Sequence, residues 1–129
     1  MSDVLRIPTQ WSYSAAVAFD RLVFIGLHPG AGNDFATQLR SSMASIRETL
    51  CKVGADLSDI VKVNVWLKRI SDLPEMEKLF FEFFEQGGFP ARMTSTTEFI
   101  NDDCLIMIDG TAIRSSSAIK THGNTSELR

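Results

Sequence analysis

The chain has 129 residues, 44% of them hydrophobic and 22% charged, and it carries a formal net charge of −3. These values are typical of one soluble domain that is long enough to bury its own core. The acidic balance argues against a nucleic-acid-binding surface, which is usually basic. No stretch approaches the roughly 20 apolar residues that cross a membrane, and Met1-Ser2-Asp3-Val4 does not lead into a signal peptide. We therefore expect a cytoplasmic protein without a membrane or nucleic-acid partner.

The two cysteines do not indicate a metal site. Cys51 lies in a helical pattern and Cys104 opens an apolar run, and neither has the spacing of metal ligands. Small core thiols are the favoured interpretation, with a disulfide or a reactive thiol as the alternatives. We expect no metal and no cofactor.

The first predicted elements are the two strands of a tight β-hairpin. Residues 17–19 and 22–25 are apolar and largely β-branched or aromatic, and they flank Asp20-Arg21. Residues 26–32 contain three glycines and a proline, and this composition predicts a loop.

The next pattern predicts an amphipathic α-helix. Asn33 or Asp34 can cap its start, and Gly54 is expected to end it. Apolar residues recur along it at spacings of three and four: Phe35, Leu39, Met43, Ile46 and Leu50.

A strand and a second helix follow. Residues 61–67 alternate between apolar valine or leucine and other side chains, which is the clearest strand pattern in the chain. Asp72 and Glu75 resemble a capping box, and Pro74 is tolerated in a first turn. The helix is predicted from an apolar cluster that Gly87-Gly88 should end: Met76, Leu79, Phe80, Phe83 and Phe84.

Two further strands, at roughly 92–99 and 104–113, are predicted on either side of a loop at residues 101–103. We expect residues 1–114 to form a single domain and the polar residues 115–129 to form a mobile tail.

The order β-β-α-β-α-β-β predicts an α+β fold in which two helices pack on one face of a mixed sheet. Residues 104–108 are apolar at both parities, and such a strand is usually buried on both faces. Since two helices can cover only one face, we expect a homo-oligomer with a pocket at the subunit boundary.

Arg92 stands out because it enters a β-type run directly behind Pro90. The proline fixes its own φ and favours an extended Phe89. A planar guanidinium on a stiff strand can hold a carboxylate through two parallel hydrogen bonds. The alternative is a solvated charge at the end of a strand.

Five segments in this order resemble the RidA/YjgF family of small trimeric proteins, formerly also called L-PSP endoribonucleases. The resemblance runs from about residue 11 to residue 113. The matching segments are Tyr13-Ser14-Ala15-Ala16-Val17, Leu22-Val23-Phe24-Ile25-Gly26, Gly26-Leu27-His28-Pro29, Val61-Lys62-Val63-Asn64-Val65-Trp66-Leu67 and Phe89-Pro90-Ala91-Arg92.

The resemblance implies a chorismate-mutase-like α+β fold and a homotrimer with three clefts between subunits. Active members hydrolyse reactive enamines and imines, such as 2-aminoacrylate, to 2-keto acids. By resemblance, Arg92 would clamp the substrate carboxylate and Tyr13 would line the cleft. The backbone of Gly26 would orient the ligand, and Thr94 would lie beside the carboxylate.

The chain departs from the family at three positions of this cleft. Met107 stands where active members have a glutamate that positions the hydrolytic water, and a thioether is a poor anchor for water. Ile25 replaces a serine, and Glu77 replaces an asparagine of the second helix. The resemblance therefore implies that the carboxylate clamp is kept, whereas the side of the cleft that handles water has become apolar.

Four residues are candidates for the missing acid. Tyr13 is a candidate catalytic residue as a weak acid, with packing and a hydroxyl hydrogen bond as its alternative. Glu98 is six residues from Arg92, so an unbroken strand would point both to one face, about 20 Å apart. Asp109 shares the parity of Met107, with a turn-bonding role at a strand end as its alternative. His28 has a suitable intrinsic pKa, although a loop histidine that faces solvent is the simpler interpretation.

The leading hypothesis is a RidA-type enamine or imine deaminase, or a related hydrolase, that acts on a small carboxylate-bearing metabolite. The alternative is a non-catalytic protein that binds small carboxylates and has lost the water-positioning acid. An RNase activity, attributed to some relatives, is not favoured by the acidic composition. A structural or chaperone-like role rests on fold analogy alone.

Overall fold

The computed structural model describes residues 3–116, which form a six-stranded sheet with two α-helices on one face. The helices are α1 (Phe35–Cys51) and α2 (Leu73–Phe80), and short 3₁₀ turns at Leu57–Asp59 and Ile70–Asp72 precede β4 and α2. The strands are β1 (Val4–Pro8), β2 (Ser14–Phe19), β3 (Leu22–Pro29), β4 (Ile60–Leu67), β5 (Ala91–Thr96) and β6 (Ile106–Ile113). None of the helices between residues 3 and 116 is long and apolar enough to cross a membrane. The predicted tail lies mostly in residues 117–129, outside the described part.

The strands are ordered β1-β2-β3-β6-β4-β5 across the sheet. All neighbours are antiparallel except β4 and β5, which are parallel because α2 crosses over between them. The predicted α+β class and mixed sheet are confirmed. Strand β1 was missing from the prediction, since a five-residue edge strand that ends in a proline gives a weak signal.

The β2–β3 hairpin is confirmed, with Phe19 paired to Leu22 and Asp20 in the left-handed region at φ 56°. The loop predicted for residues 26–32 begins too early, because β3 continues to Pro29. A register shift between Ile25 and His28 lets β3 keep pairing with β6 beyond the glycine.

Helix α1 begins and ends close to the predicted residues. Asp34 is its cap and accepts a hydrogen bond of 2.8 Å from the backbone N–H of Thr37. Gly54 follows the helix at φ 78°, in the left-handed region. Both cysteines are free thiols; Cys104 is buried as predicted, whereas Cys51 is exposed and the core prediction for it was wrong.

Helix α2 is shorter than predicted. Asp72 belongs to the preceding 3₁₀ turn and has helical backbone angles, so its side chain does not cap the helix and the predicted capping box is absent. Phe83 and Phe84 lie in turns after the helix, where the Phe84 ring packs 5.7 Å from that of Phe80.

The core lies between the helices and the side of the sheet that faces them. From α1 it takes Leu39, Met43, Ile46 and Leu50, which are all almost fully buried. The other side of the sheet, here called the open face, carries the alternate residues of the strands. Large apolar side chains on it remain partly exposed in the single chain: Phe19, Leu22, Phe24 and Leu27.

Candidate functional site

The residues predicted to form a site fall into two groups. The first lies on β5, an edge strand, on the side that faces the helices. Arg92 and Thr94 share this side, as predicted, and Arg92 Nε donates a 3.0 Å hydrogen bond to Thr94 Oγ1. The guanidinium carbon lies 5.6 Å from the centre of the Phe80 ring, a cation–π distance. Arg92 is therefore held in one place rather than free in solvent.

Helix α2 supplies a carboxylate to the same arginine. Glu77 and Phe80 are three residues apart on one face of α2, and Arg92 contacts both. Arg92 Nη2 donates a hydrogen bond to Glu77 Oε2 and forms an ion pair with it. The side chain of Arg92 is 28% exposed and that of Glu77 51% exposed. The charge of Arg92 is thus already paired within the chain.

The second group lies on the open face around a cavity of about 400 Å³. Tyr13, Gly26 and Met107 contribute to its lining, together with Ser14, Leu27 and Pro29. Tyr13 is 45% exposed, and the turn before it is held by a 2.6 Å hydrogen bond from Thr9 Oγ1 to the Tyr13 carbonyl.

Gly26 is required by the close approach of β2. A Cβ atom at this position would lie 2.5 Å from the backbone oxygen of Ser14, a distance that Cβ atoms do not tolerate. The glycine therefore permits the register shift that carries β3 past the cavity.

A single chain does not bring the two groups together. Arg92 faces the helices, whereas Met107 alternates with the buried Ile106 and Ile108 and lies on the open face. Strand β5 is also three strands from β3, which corresponds to about 14 Å across the sheet.

A second cavity on the open face is lined by a glutamate, the same residue type as the acid that Met107 replaces. Its volume is about 370 Å³, and it shares Leu27 and Met107 with the first cavity. Glu98 lines it as well, with Trp66, Thr97, Phe99 and Ile100. The premise of an unbroken strand from Arg92 to Glu98 was wrong, because β5 ends at Thr96 where its neighbour β4 ends. Glu98 instead shares a cavity with Met107.

Asp109 lies on the open face like Met107, within β6. Its two carboxylate oxygens accept hydrogen bonds from Asn64 Nδ2 at 2.8 Å and from Trp66 Nε1 at 2.7 Å. Both donors come from the neighbouring strand β4, so the alternative of a bond to a nearby turn was wrong. Asp109 thus fixes the position of Trp66, which lines the second cavity, and of Asn64 on the same strand.

His28 is buried on the opposite side of the sheet, and the prediction of a loop histidine in solvent was wrong. Its Nδ1 lies 2.6 Å from the Gly26 carbonyl oxygen, and its Nε2 lies 2.9 Å from Thr49 Oγ1 on α1. Burial lowers the pKa of His28, and the hydrogen bond to the Gly26 carbonyl offsets part of this effect. Since it is buried toward α1, His28 does not line either cavity.

Residues 3–116 contain no group of three or more histidine, cysteine or acidic side chains arranged to hold a metal ion.

Comparisons with known proteins place this chain in one family. The family model described as Endoribonuclease L-PSP matches residues 5–114. Among curated proteins, a RutC family protein from Pyrococcus abyssi is 28% identical over 110 residues, covering 79% of this chain and 86% of the relative. A 2-iminobutanoate/2-iminopropanoate deaminase from Bos taurus is 32% identical over 88 residues, covering 62% and 64%, respectively. The protein of the same name from Escherichia coli is 28% identical over 95 residues, covering 70% and 74%.

Solved structures show the same fold. A YjgF family member from Neisseria meningitidis superposes with a TM-score of 0.82 at 24% identity, covering 87% of this chain and 95% of the other. A member of that family from Mycobacterium tuberculosis gives a TM-score of 0.81 at 24% identity, covering 86% and 99%. Because the family model spans nearly all of the described residues, the chain belongs to the Endoribonuclease L-PSP family, which is the RidA/YjgF family that the sequence resembles.

Proposed function

We propose that this protein binds a small carboxylate-bearing metabolite through Arg92 in a cleft between the subunits of a homotrimer, and that it hydrolyses a reactive enamine or imine to a 2-keto acid. The observation that carries the proposal is the fixed position of the Arg92 guanidinium, which Thr94 and the Phe80 ring hold at the edge of the sheet. The names of the bovine and Escherichia coli relatives support the reaction class.

The separation of the two groups of residues supports a cleft between subunits. Arg92 and the cavity of Tyr13, Gly26 and Met107 lie on opposite sides of the sheet in one chain. A neighbouring copy that covered the open face would bring its own Arg92 to this cavity and bury the exposed apolar side chains. The homotrimer is the assembly that the family resemblance implies.

The proposed reaction adds water to the imine carbon and breaks the C–N bond, which gives a 2-keto acid and ammonia. Arg92 would hold the carboxylate, and the Tyr13 hydroxyl would contact the ligand from the cavity side. The thioether of Met107 neither accepts nor donates a proton. Glu98 lines the same cavity as Met107, so we assign the positioning of the water to Glu98.

Replacement of Arg92 by alanine tests the proposal. Loss of a charge-assisted carboxylate contact of roughly 1.5–3 kcal/mol should lower kcat/KM at least about tenfold. The measurement is keto-acid release from an enzymatically generated imino acid, with sedimentation as a check that the assembly is unchanged. Arg40→Ala is the matched control, because Arg40 also pairs with a glutamate that follows α2, Glu82, but lies on α1. Equal activity in wild type and Arg92→Ala would refute the role of Arg92.

The second candidate function, carboxylate binding without turnover, is favoured by Met107. It predicts saturable binding of a 2-keto acid in calorimetry and no acceleration of keto-acid release. The imine assay above separates the two candidates.

A further inference from the structure

Glu77 is bound to the Arg92 guanidinium, which is the group that the proposed ligand needs. Its carboxylate accepts a hydrogen bond from Arg92 Nη2 and pairs with the charge of the guanidinium. We propose that Glu77 is an internal competitor, which a ligand carboxylate must displace from Arg92 before it binds. This inference rests on the proposed function, because it takes Arg92 to be the carboxylate-binding group.

The geometry of the guanidinium makes the competition direct. A carboxylate binds arginine with two hydrogen bonds along an edge formed by Nε and Nη2 or by Nη1 and Nη2. Both edges include Nη2, the nitrogen that Glu77 holds, and Thr94 holds Nε. A bidentate ligand therefore has to share or take over the hydrogen-bonding capacity that Glu77 uses.

Displacement is feasible because the pair is partly exposed. The Glu77 side chain is about half exposed and can turn into water, and ion pairs of this kind contribute little net free energy. Arg92 keeps its place after Glu77 leaves, since Thr94 and Phe80 continue to hold it. Glu77 should thus weaken carboxylate binding without being needed to position the arginine.

The competition should affect which ligands bind. A ligand that contacts the protein only through its carboxylate gains no other contacts to offset the free energy needed to displace Glu77. A ligand that also fills the apolar cavities beside Met107 gains contacts that offset this cost. The affinity of an uncharged analogue should not depend on Glu77, because such a ligand does not compete for Arg92.

The test is a comparison of Glu77→Gln with wild type, using pyruvate and methyl pyruvate as probes in calorimetric or NMR titrations. We expect Glu77→Gln to bind pyruvate roughly threefold to tenfold more tightly, because a neutral amide competes less well for Nη2. Methyl pyruvate should bind both proteins equally, since it carries no carboxylate. Glu77→Ala should change pyruvate affinity in the same direction.

Glu82→Gln is the matched control. It removes the same charge and also breaks an ion pair near α2, that with Arg40, so its pyruvate affinity should equal that of wild type. Equal or weaker pyruvate binding by both Glu77 variants would overturn the competition. A failure of the proposed function would be recognised by a different result. If Arg92 does not bind the ligand carboxylate, Arg92→Ala in the Glu77→Gln background leaves pyruvate affinity unchanged.

Discussion

At the scale of single residues, the position of the acid decides whether the proposed cleft catalyses or only binds. Met107 stands on the open face with a thioether that cannot transfer a proton. Asp109 is committed to Asn64 and Trp66 through both oxygens. Glu98 is the carboxylate that lines a cavity together with Met107.

We predict that Glu98→Gln lowers kcat for imine hydrolysis at least about 100-fold, which is the usual contribution of a positioned acid or base. Pyruvate affinity should stay unchanged, because the proposed function assigns the carboxylate contact to Arg92. Steady-state kinetics and a binding titration measure the two effects. Glu85→Gln, a change at an exposed residue after α2, serves as the control. Full activity in Glu98→Gln would remove this residue from the mechanism.

Part of the site could be predicted from spacing alone. Arg92 and Thr94 are two residues apart in a β-type run, which places them on one face of a strand whatever the rest of the fold does. The contact between Arg92 and Glu77 could not be predicted, because it depends on where α2 crosses the sheet. The position of Glu98 was missed for a similar reason: β5 ends where β4 ends, and no residue near Thr96 signals that end.

At the scale of elements, the register shift in β3 leads to a side-chain contact between the sheet and α1. Gly26 allows the register shift, and the shift turns His28 toward α1, where its ring meets Thr49. The strand pattern of residues 61–67 was predictable because alternation is local. The continuation of β3 was not, because it depends on pairing with β6, which is about 80 residues later in sequence.

This arrangement predicts a pH dependence of stability. Burial lowers the pKa of His28, so the folded protein takes up this proton at a lower pH than the unfolded chain, in which histidine titrates near pH 6.5. The unfolded state then binds more protons, and the free energy of unfolding falls as pH drops below that value, by at most about 1.4 kcal/mol per pH unit. Urea denaturation at several pH values between 7.5 and 5 measures it. His28→Gln should show a shallower dependence, and parallel curves for the two proteins would contradict the assignment.

At the scale of the whole molecule, the open face leaves large apolar side chains exposed in the single chain. Phe24 is 51% exposed although it alternates with the buried Val23 and Ile25 of β3. It lies on the same face as the cavities, so a neighbouring copy that covered Phe24 would also cover the cavities.

We predict that the wild-type protein sediments as a trimer of the 14.4 kDa chain and that Phe24→Lys dissociates it, because a charge buried between subunits costs several kcal/mol. Phe81→Lys is the control, since Phe81 is 62% exposed and follows α2, away from the open face. Sedimentation equilibrium distinguishes the species. A wild-type monomer would rule out the proposed assembly, and an intact Phe24→Lys trimer would place its interface elsewhere.

The central place of β6 also constrains when the chain can fold during its synthesis. Strands β1 to β3 form one half of the sheet and β4 with β5 the other, and β6 joins them through pairs such as Leu22 with Ile113 and Ile60 with Ala112. The ribosome makes this joining strand after all the others in the sheet. Until Ile113 has emerged, the two halves have no common strand and the helices have no complete sheet to cover. Such distant pairings slow folding, so the nascent chain must carry exposed apolar surface until β6 has been made.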